Sequence, residues 1–230
     1  MKKLVSVFII ILLLITITGC SEEKTTYTVL MKDNNNPYSY INNGSVTGLE
    51  ADIINAVADA QGFQVNLVTD ENADFVSCSS DFTNGSEDYD YTSPFYQRGI
   101  IFTTPKTSNI TTYEQLINAT IGVTKGSFGE DFATQIASQY NLTVKKYTDN
   151  QKMYKDAQNN SIAGFFEDEL VIREAIKNGE NLKTFENAEK TTSLSFAVNK
   201  DKNKDFIENF NAGLEKISKN GEYKDIIEKY

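Results

Sequence analysis

The chain opens on an apolar run. Residues 4–17 are interrupted only by Ser6 and Thr16, and Lys2 and Lys3 stand before them. Past residue 26, apolar and polar positions alternate in short segments, separated by stretches of helical spacing. Alternating or short apolar segments predict strands at residues 27–31, 63–68, 73–77, 95–102, 119–124, 142–147, 162–166, 182–185 and 194–198. Leu49, Ile53, Ala56, Val57 and Ala60 make one stripe, so residues 48–61 read as a helix stopped by Gly62. Phe128, Phe132, Ile136 and Tyr140, spaced by four, predict a second helix opened by Lys125-Gly126-Ser127. Helices are also expected at 150–159, at 169–177 with Asp168 as N-cap, at 204–219 and at 223–230. Thr111 with Glu114, and Thr112 with Gln115, offer capping boxes for a short helix. Residues 33–45 and 78–93 read as polar loops.

Strands and helices alternate almost throughout, which predicts an α/β fold with parallel sheet. Residues 105–189 form one αβ set and the flanking stretches another. Two lobes joined by two crossings, with a cleft between them, is the simplest arrangement. The expected division is a leader at 1–19, Cys20 and a polar tether to residue 26, a first lobe of 27–104 plus 190–230, and a second lobe of 105–189.

The leader's apolar run is short of the roughly 20 residues that span a bilayer. Ile17-Thr18-Gly19-Cys20 resembles a bacterial lipobox, in which the Cys is lipidated after cleavage. The expected location is the extracytoplasmic face of the cell membrane, held by lipid on Cys20. Cys78 is the other of two cysteines, so no internal disulfide is expected. The 230 residues carry a formal charge of −10, which removal of Lys2 and Lys3 lowers by two. That balance argues against a nucleic-acid partner. The absence of His excludes His-dependent nucleophilic triads and His-ligated metals. No metal or other cofactor is expected.

Five segments in order carry a resemblance: Pro37-Tyr38-Ser39-Tyr40, the 48–53 segment Gly-Leu-Glu-Ala-Asp-Ile, Asp90-Tyr91-Thr92-Ser93-Pro94-Phe95, the Gly-Ser loop at 121–127, and Gly221-Glu222-Tyr223. Together they resemble family 3 of the extracellular solute-binding proteins of bacterial ABC importers, the polar-amino-acid type. The resemblance implies a periplasmic-binding-protein-like (type II) fold and a monomer. It also implies a small polar solute bound between the lobes and a membrane permease as partner. In the family an aromatic of the first loop stacks on the ligand, a role open to Tyr38 or Tyr40. Gly126 and Ser127 would offer N–H groups to an anion, with Lys125 adding charge. Asp168 matches the amine-binding Asp, although helix capping alone would also explain it. Ser79, Asp81 and Thr83 would face the ligand from the first lobe.

Two departures stand out. The family's carboxylate-pairing Arg is missing from residues 83–88, and the chain holds only Arg98 and Arg173. Arg98, entering a crossing strand, is a remote substitute. The expectation is therefore a ligand without a free carboxylate, an amine held by Asp81, Asp168 and a tyrosine. Second, residues 69–74 replace a helix of about a dozen residues, so the first lobe is shortened by one helix, with a taut link and an uncovered apolar face. Two other readings remain: a degenerate receptor that acts through a protein partner, and an enzyme using paired carboxylates such as Glu87 with Asp90 or Glu167 with Asp168.

Overall fold

The computed structural model describes residues 24–69, 76–81, 88–200 and 202–230, with 76–81 described by backbone pairing alone. The elements run β1 (Thr26–Leu30), β2 (Tyr40–Asn42), β3 (Ser45–Thr47), α1 (Leu49–Gln61), β4 (Gln64–Val68), β5 (Val76–Asp81), β6 (Tyr89–Tyr91) and β7 (Tyr96–Pro105). A 3-10 turn (Tyr113–Leu116) precedes β8 (Thr120–Thr124), α2 (Phe128–Tyr140), β9 (Thr143–Tyr147), α3 (Asn150–Gln158), β10 (Gly164–Asp168) and α4 (Glu169–Lys177). The chain closes with β11 (Leu182–Thr184), β12 (Lys190–Asn199), α5 (Lys204–Asn220) and α6 (Glu222–Ile227).

One sheet runs through the molecule in the order β4-β1-β5-β12-β7-β10-β8-β9, with β6 on β12 and β11 on β7. At one end β4, β1 and β5 are parallel. At the other end β10, β8 and β9 are parallel. The two long strands between them are antiparallel to each other, and each is antiparallel to its neighbouring set. The two parallel sets therefore point at each other. Their carboxyl ends face across a gap that, among the described strands, β7 and β12 bridge. This is a two-lobed α/β fold with two crossings, and ligand sites in such sheets lie outside the carboxyl ends of the strands.

Register fixes the width of the gap. Leu194 of β12 pairs with Asp81, the end of β5, and with Tyr96. Asp168, the end of β10, pairs with Ile100. Four residues of β7 separate the two rims, roughly 13 Å along the strand.

The first lobe packs α1, α5 and α6 over one side of the sheet. Its core runs from Tyr27, Val29 and Met31 through Ile53 and Val57 to Phe196, Phe206 and Phe210. Along α5 the buried Phe206, Phe210, Gly213 and Ile217 keep helical spacing. A Cβ at Gly213 would stand 2.7 Å from Val57 Cγ1, so glycine is what lets α5 lie against α1. In the second lobe one cluster, with Met153, Phe165 and Ile172, covers one face of the sheet. Another, with Leu116, Ile121, Ala133 and Phe166, covers the other.

Residues 70–75, where the taut link is expected, lie outside the described residues, but the strands on either side fix the distance to be covered. Val68 pairs with Leu30, while Val76 pairs with the adjacent Val29. β5 thus begins at the level where β4 ends. Joining them needs a sideways step of two strand spacings, about 10 Å, with no return along the sheet. The face of β1 and β4 away from the helices also differs from expectation. It carries Thr26, Thr28, Gln64 and Asn66, with only Leu30 and Val68 apolar. A mixed polar face of this kind suits water, as one-sided sheets do.

Other elements depart from the sequence reading. The 33–45 stretch contains the β2–β3 hairpin, whose turn places Asn43 and Gly44 at φ 50° and 79°. Asn-Gly is the residue pair that such a turn requires. Residues 78–93 include most of β5, which runs from Val76 to Asp81 where a strand is expected at 73–77, and β6. The strand expected at 95–102 continues to Pro105, and the second crossing merges with the strand at 194–198 into β12. The Thr112–Gln115 capping box forms, on a single 3-10 turn.

Candidate functional site at the gap between the lobes

The loop after β1 carries Tyr38 into the gap. It is held there by α1: Leu49 N–H donates to Pro37 O and Glu50 N–H to Tyr38 O. Gly48 makes this possible. Its φ is 118°, and a Cβ would lie 2.5 Å from Tyr38 O. Only glycine suits both the angle and the approach.

Opposite stands Asp168, at the last position of β10 and the N-cap of α4. Its Oδ1 accepts from Leu170 N–H at 3.0 Å and Val171 N–H at 3.2 Å. The Tyr38 hydroxyl donates to Oδ1 at 2.9 Å and Oδ2 at 3.0 Å. Arg98 Nε, from β7, donates to Oδ2 at 2.5 Å. The Arg98 Cζ lies 5.3 Å from the Tyr38 ring centre, a cation–π contact. Tyr96 packs edge-on against Tyr38. Burial, and then the charge of Asp168, push the Tyr38 phenol upward, so it stays protonated and remains a donor. Asn36 Nδ2 also reaches across the gap, to Glu174 Oε1 of α4 at 3.3 Å.

Behind Asp168 lies Glu167. Its Oε1 accepts the Asp168 N–H at 2.9 Å, and Thr124 Oγ1 approaches Oε2 at 3.4 Å. Burial pushes this carboxyl up to about 7, an effect the Asp168 charge reinforces.

The Gly-Ser loop sits at the carboxyl end of β8, on the same rim. Ser127 Oγ caps α2 by accepting from Glu130 N–H at 3.2 Å. The backbone N–H groups expected to face an anion have partners inside the loop. Gly126 N–H donates to Glu130 Oε2 at 2.6 Å, and Ser127 N–H to Thr124 O at 3.1 Å. Lys146 pairs with the other Glu130 oxygen at 2.5 Å. The Lys146 hydrogen bond first, then the Gly126 N–H, hold the Glu130 carboxyl below its ordinary value, with a smaller contribution from the exposed Lys125 beside them.

The structure thus gathers Tyr38 and Asp168, and puts Lys125, Gly126 and Ser127 on the same rim. It separates Tyr40, which starts β2 and lines a hollow of about 170 Å³ with Pro37, Glu174, Lys177, Lys229 and Tyr230. Ser79 and Asp81 lie on β5, by backbone on the facing rim. Thr83 and Cys20 fall outside the described residues. Arg98 gains most by comparison with its sequence standing. Its signal was its place on the crossing strand, which register turns into the centre of the gap. Glu130 was missed as a partner of the Gly-Ser loop, although its spacing of three from Ser127 is that of a capping box.

Two facing sets of parallel strands, two crossings and a polar constellation at their shared gap define a two-lobed solute-binding protein. The comparisons agree. No family model matches the chain. It is 24% identical to the probable histidine-binding protein of Campylobacter jejuni, over 100% of this chain and 99% of that one. It is 32% identical to the arginine-binding periplasmic protein of Mannheimia haemolytica, over 48% of each. The second substrate-binding domain of Lactococcus lactis GlnP, solved in an open conformation, superposes with a TM-score of 0.76 at 32% identity, covering 90% of this chain and 96% of that one. The chain belongs to family 3 of the bacterial extracellular solute-binding proteins of ABC importers, and its role is to bind a small polar solute.

Proposed function

We propose that the protein captures an amino acid in the gap between its lobes and delivers it to an ABC permease while tethered to the membrane by lipid on Cys20. The observation that carries this reading is the contact of Tyr38 with Asp168: a side chain from one rim meets a buried carboxylate from the other. A solute that bridges both rims stabilises the closed arrangement through contacts the open one lacks. Relatives named for histidine and arginine binding support an amino acid as the solute. In this reading residues 27–104 with 190–230 form the first lobe and 105–189 the second, with Ile101 and Phe102 packing into the second lobe's cores. The relatives are binding proteins, which favours neither an enzyme nor a degenerate receptor acting through a protein partner. Among the described residues no helix is long and apolar enough to cross a membrane.

Calorimetry with the twenty L-amino acids tests the ligand class. Saturable binding of one or a few supports it, and silence across the panel sinks it. Labelling cells with a radioactive fatty acid tests the tether: label that disappears in Cys20→Ala supports it, and label that persists contradicts it.

A further inference from the structure

We propose that the second lobe carries a further small-molecule site, apart from the gap, that takes a primary amine in its cationic form. The site is a hollow of about 450 Å³ whose lining includes Thr104, Ile110, Thr111, Phe185, Glu186 and Glu189.

Position is the first argument. β10 runs along one edge of β7, and residues 182–189 run along the other. Asp168 pairs with Ile100 from the first edge, while Glu189 N–H donates to Ile100 O from the second at 2.8 Å. The hollow lies on the second edge, and its lining includes none of Tyr38, Arg98 and Asp168. One wall is the stretch that leaves β7 and the other is the stretch that enters β12. Both crossings therefore meet at it.

The walls are fixed. Phe185 packs edge-on against Phe102 and lies against Tyr113, and its N–H donates to Phe102 O at 2.9 Å. On the facing stretch Ser108 Oγ accepts from Ile110 N–H at 3.1 Å. Lys183 Nζ ties the two walls together by donating to Ser108 O at 2.6 Å. A preformed cavity of this size suits a small ligand.

The third argument is an unmet hydrogen bond. Thr104 is fully buried at the floor of the hollow, and its Oγ1 has no hydrogen-bond partner. Buried hydroxyls ordinarily have one. A ligand N–H that reaches the floor supplies it.

The fourth argument is charge. Glu186 and Glu189 bring two carboxylates to the lining, and its one cation, Lys183, is engaged on Ser108 O. Glu189 also stands beside the Tyr113 phenol, which burial first and then this carboxylate push upward, so that neighbour is neutral. The balance favours a cation and opposes an anion. Ile110 and Phe185 offer apolar surface to a short alkyl stem. An ammonium group has three donors and no acceptor, which matches two carboxylates and a hydroxyl oxygen.

The test is an NMR titration of the isotope-labelled protein with 1-aminobutane, 1-butanol and butyrate. The probes share an alkyl stem and differ in charge. 1-Aminobutane should give saturable shifts at the backbone N–H groups of Thr104, Thr111, Phe185 and Glu189, 1-butanol weaker ones and butyrate none. Glu186→Gln combined with Glu189→Gln should weaken 1-aminobutane about 10-fold, as expected for loss of charge-assisted contacts at a partly open site. Thr104→Val, which keeps the shape and removes the hydroxyl, should weaken it several-fold. No saturation at these positions up to about 10 mM amine, well beyond the range of weak specific binding, would overturn the inference. So would butyrate binding as well as the amine, or amine shifts confined to Tyr38 and Asp168 in the gap. If Thr104→Val fails to fold, the double glutamine variant carries the same comparison. The inference does not rest on the amino-acid reading: calorimetric silence across the amino acids leaves this titration unaffected, and its failure leaves that reading in place.

Discussion

The hydroxyl of Tyr38 lies within 3.0 Å of both carboxylate oxygens of Asp168, although 130 residues separate the two in the chain. The bond joins a loop of the first lobe to a helix cap of the second, in a setting where both side chains are buried. A hydrogen bond to a charged group under such conditions contributes about 1.5–3 kcal/mol. Tyr38→Phe should lower the stability of the ligand-free protein by that amount in urea unfolding. A change within error would mean that water replaces the phenol and the contact does not hold the lobes.

Glu167 predicts a pH dependence. Its folded-state value, about 7, lies above the ordinary 4.5. Between those values the native state holds a proton that the unfolded chain has lost. Stability from this group is therefore full below about pH 4.5 and is lost as pH rises toward and through 7, up to about 3 kcal/mol in total. Glu167→Gln should flatten that slope, and should be more stable than wild type at pH 8. Arg98 and Asp168 face the same carboxyl with opposite charge, so their net influence on it is smaller than that of burial. Parallel urea-midpoint profiles for the two proteins across pH 4.5–8 would contradict this.

Gly48→Ala should be severe. The Cβ would press on Pro37 O and Tyr38 O at under 3 Å, from a backbone angle that side chains seldom adopt. Loss of about 2–4 kcal/mol is expected, within the range for strain at a special backbone site. Because the same backbone positions Tyr38, ligand affinity should fall with it. Gly44→Ala, in open space at the hairpin turn, is the matched control for positive φ alone and should cost less.

Tyr223 shows what the C-terminal Gly-x-Tyr segment does. Its hydroxyl donates to Phe95 O at 2.6 Å, and Asn211 accepts from Ser93 N–H at 2.7 Å. α5 and α6 thus clamp the residues that lead into the crossing strand β7. Tyr223→Phe should cost about 1 kcal/mol of stability and leave ligand affinity unchanged. A large affinity loss would show that the clamp also sets the geometry of the lobes.

Much of this architecture was readable from residue order. The stripe from Leu49 to Val57, the cap at Asp168 and the spacing of Phe128 to Tyr140 are local signals, and local signals survive folding. The Asn43-Gly44 hairpin is equally local, but its flanking strands of three residues each are too short to show an alternating pattern. The site was legible only in part. Asp168 announced itself as a cap, which it is, while its contacts with Tyr38 and Arg98 depend on strand register across the sheet. The same holds for the link between β4 and β5: a half-strand offset removes the need for a long return, and nothing in residues 69–74 encodes that offset. The N–H groups of Gly126 and Ser127 looked available because Glu130 folds back on them from the next turn.

The most direct measurement is a crystal structure of the protein with the amino acid that calorimetry selects. The account predicts the solute between the carboxyl ends of β1 and β5 and those of β8 and β10, in contact with side chains of both rims. Solute bound elsewhere on the surface would contradict it.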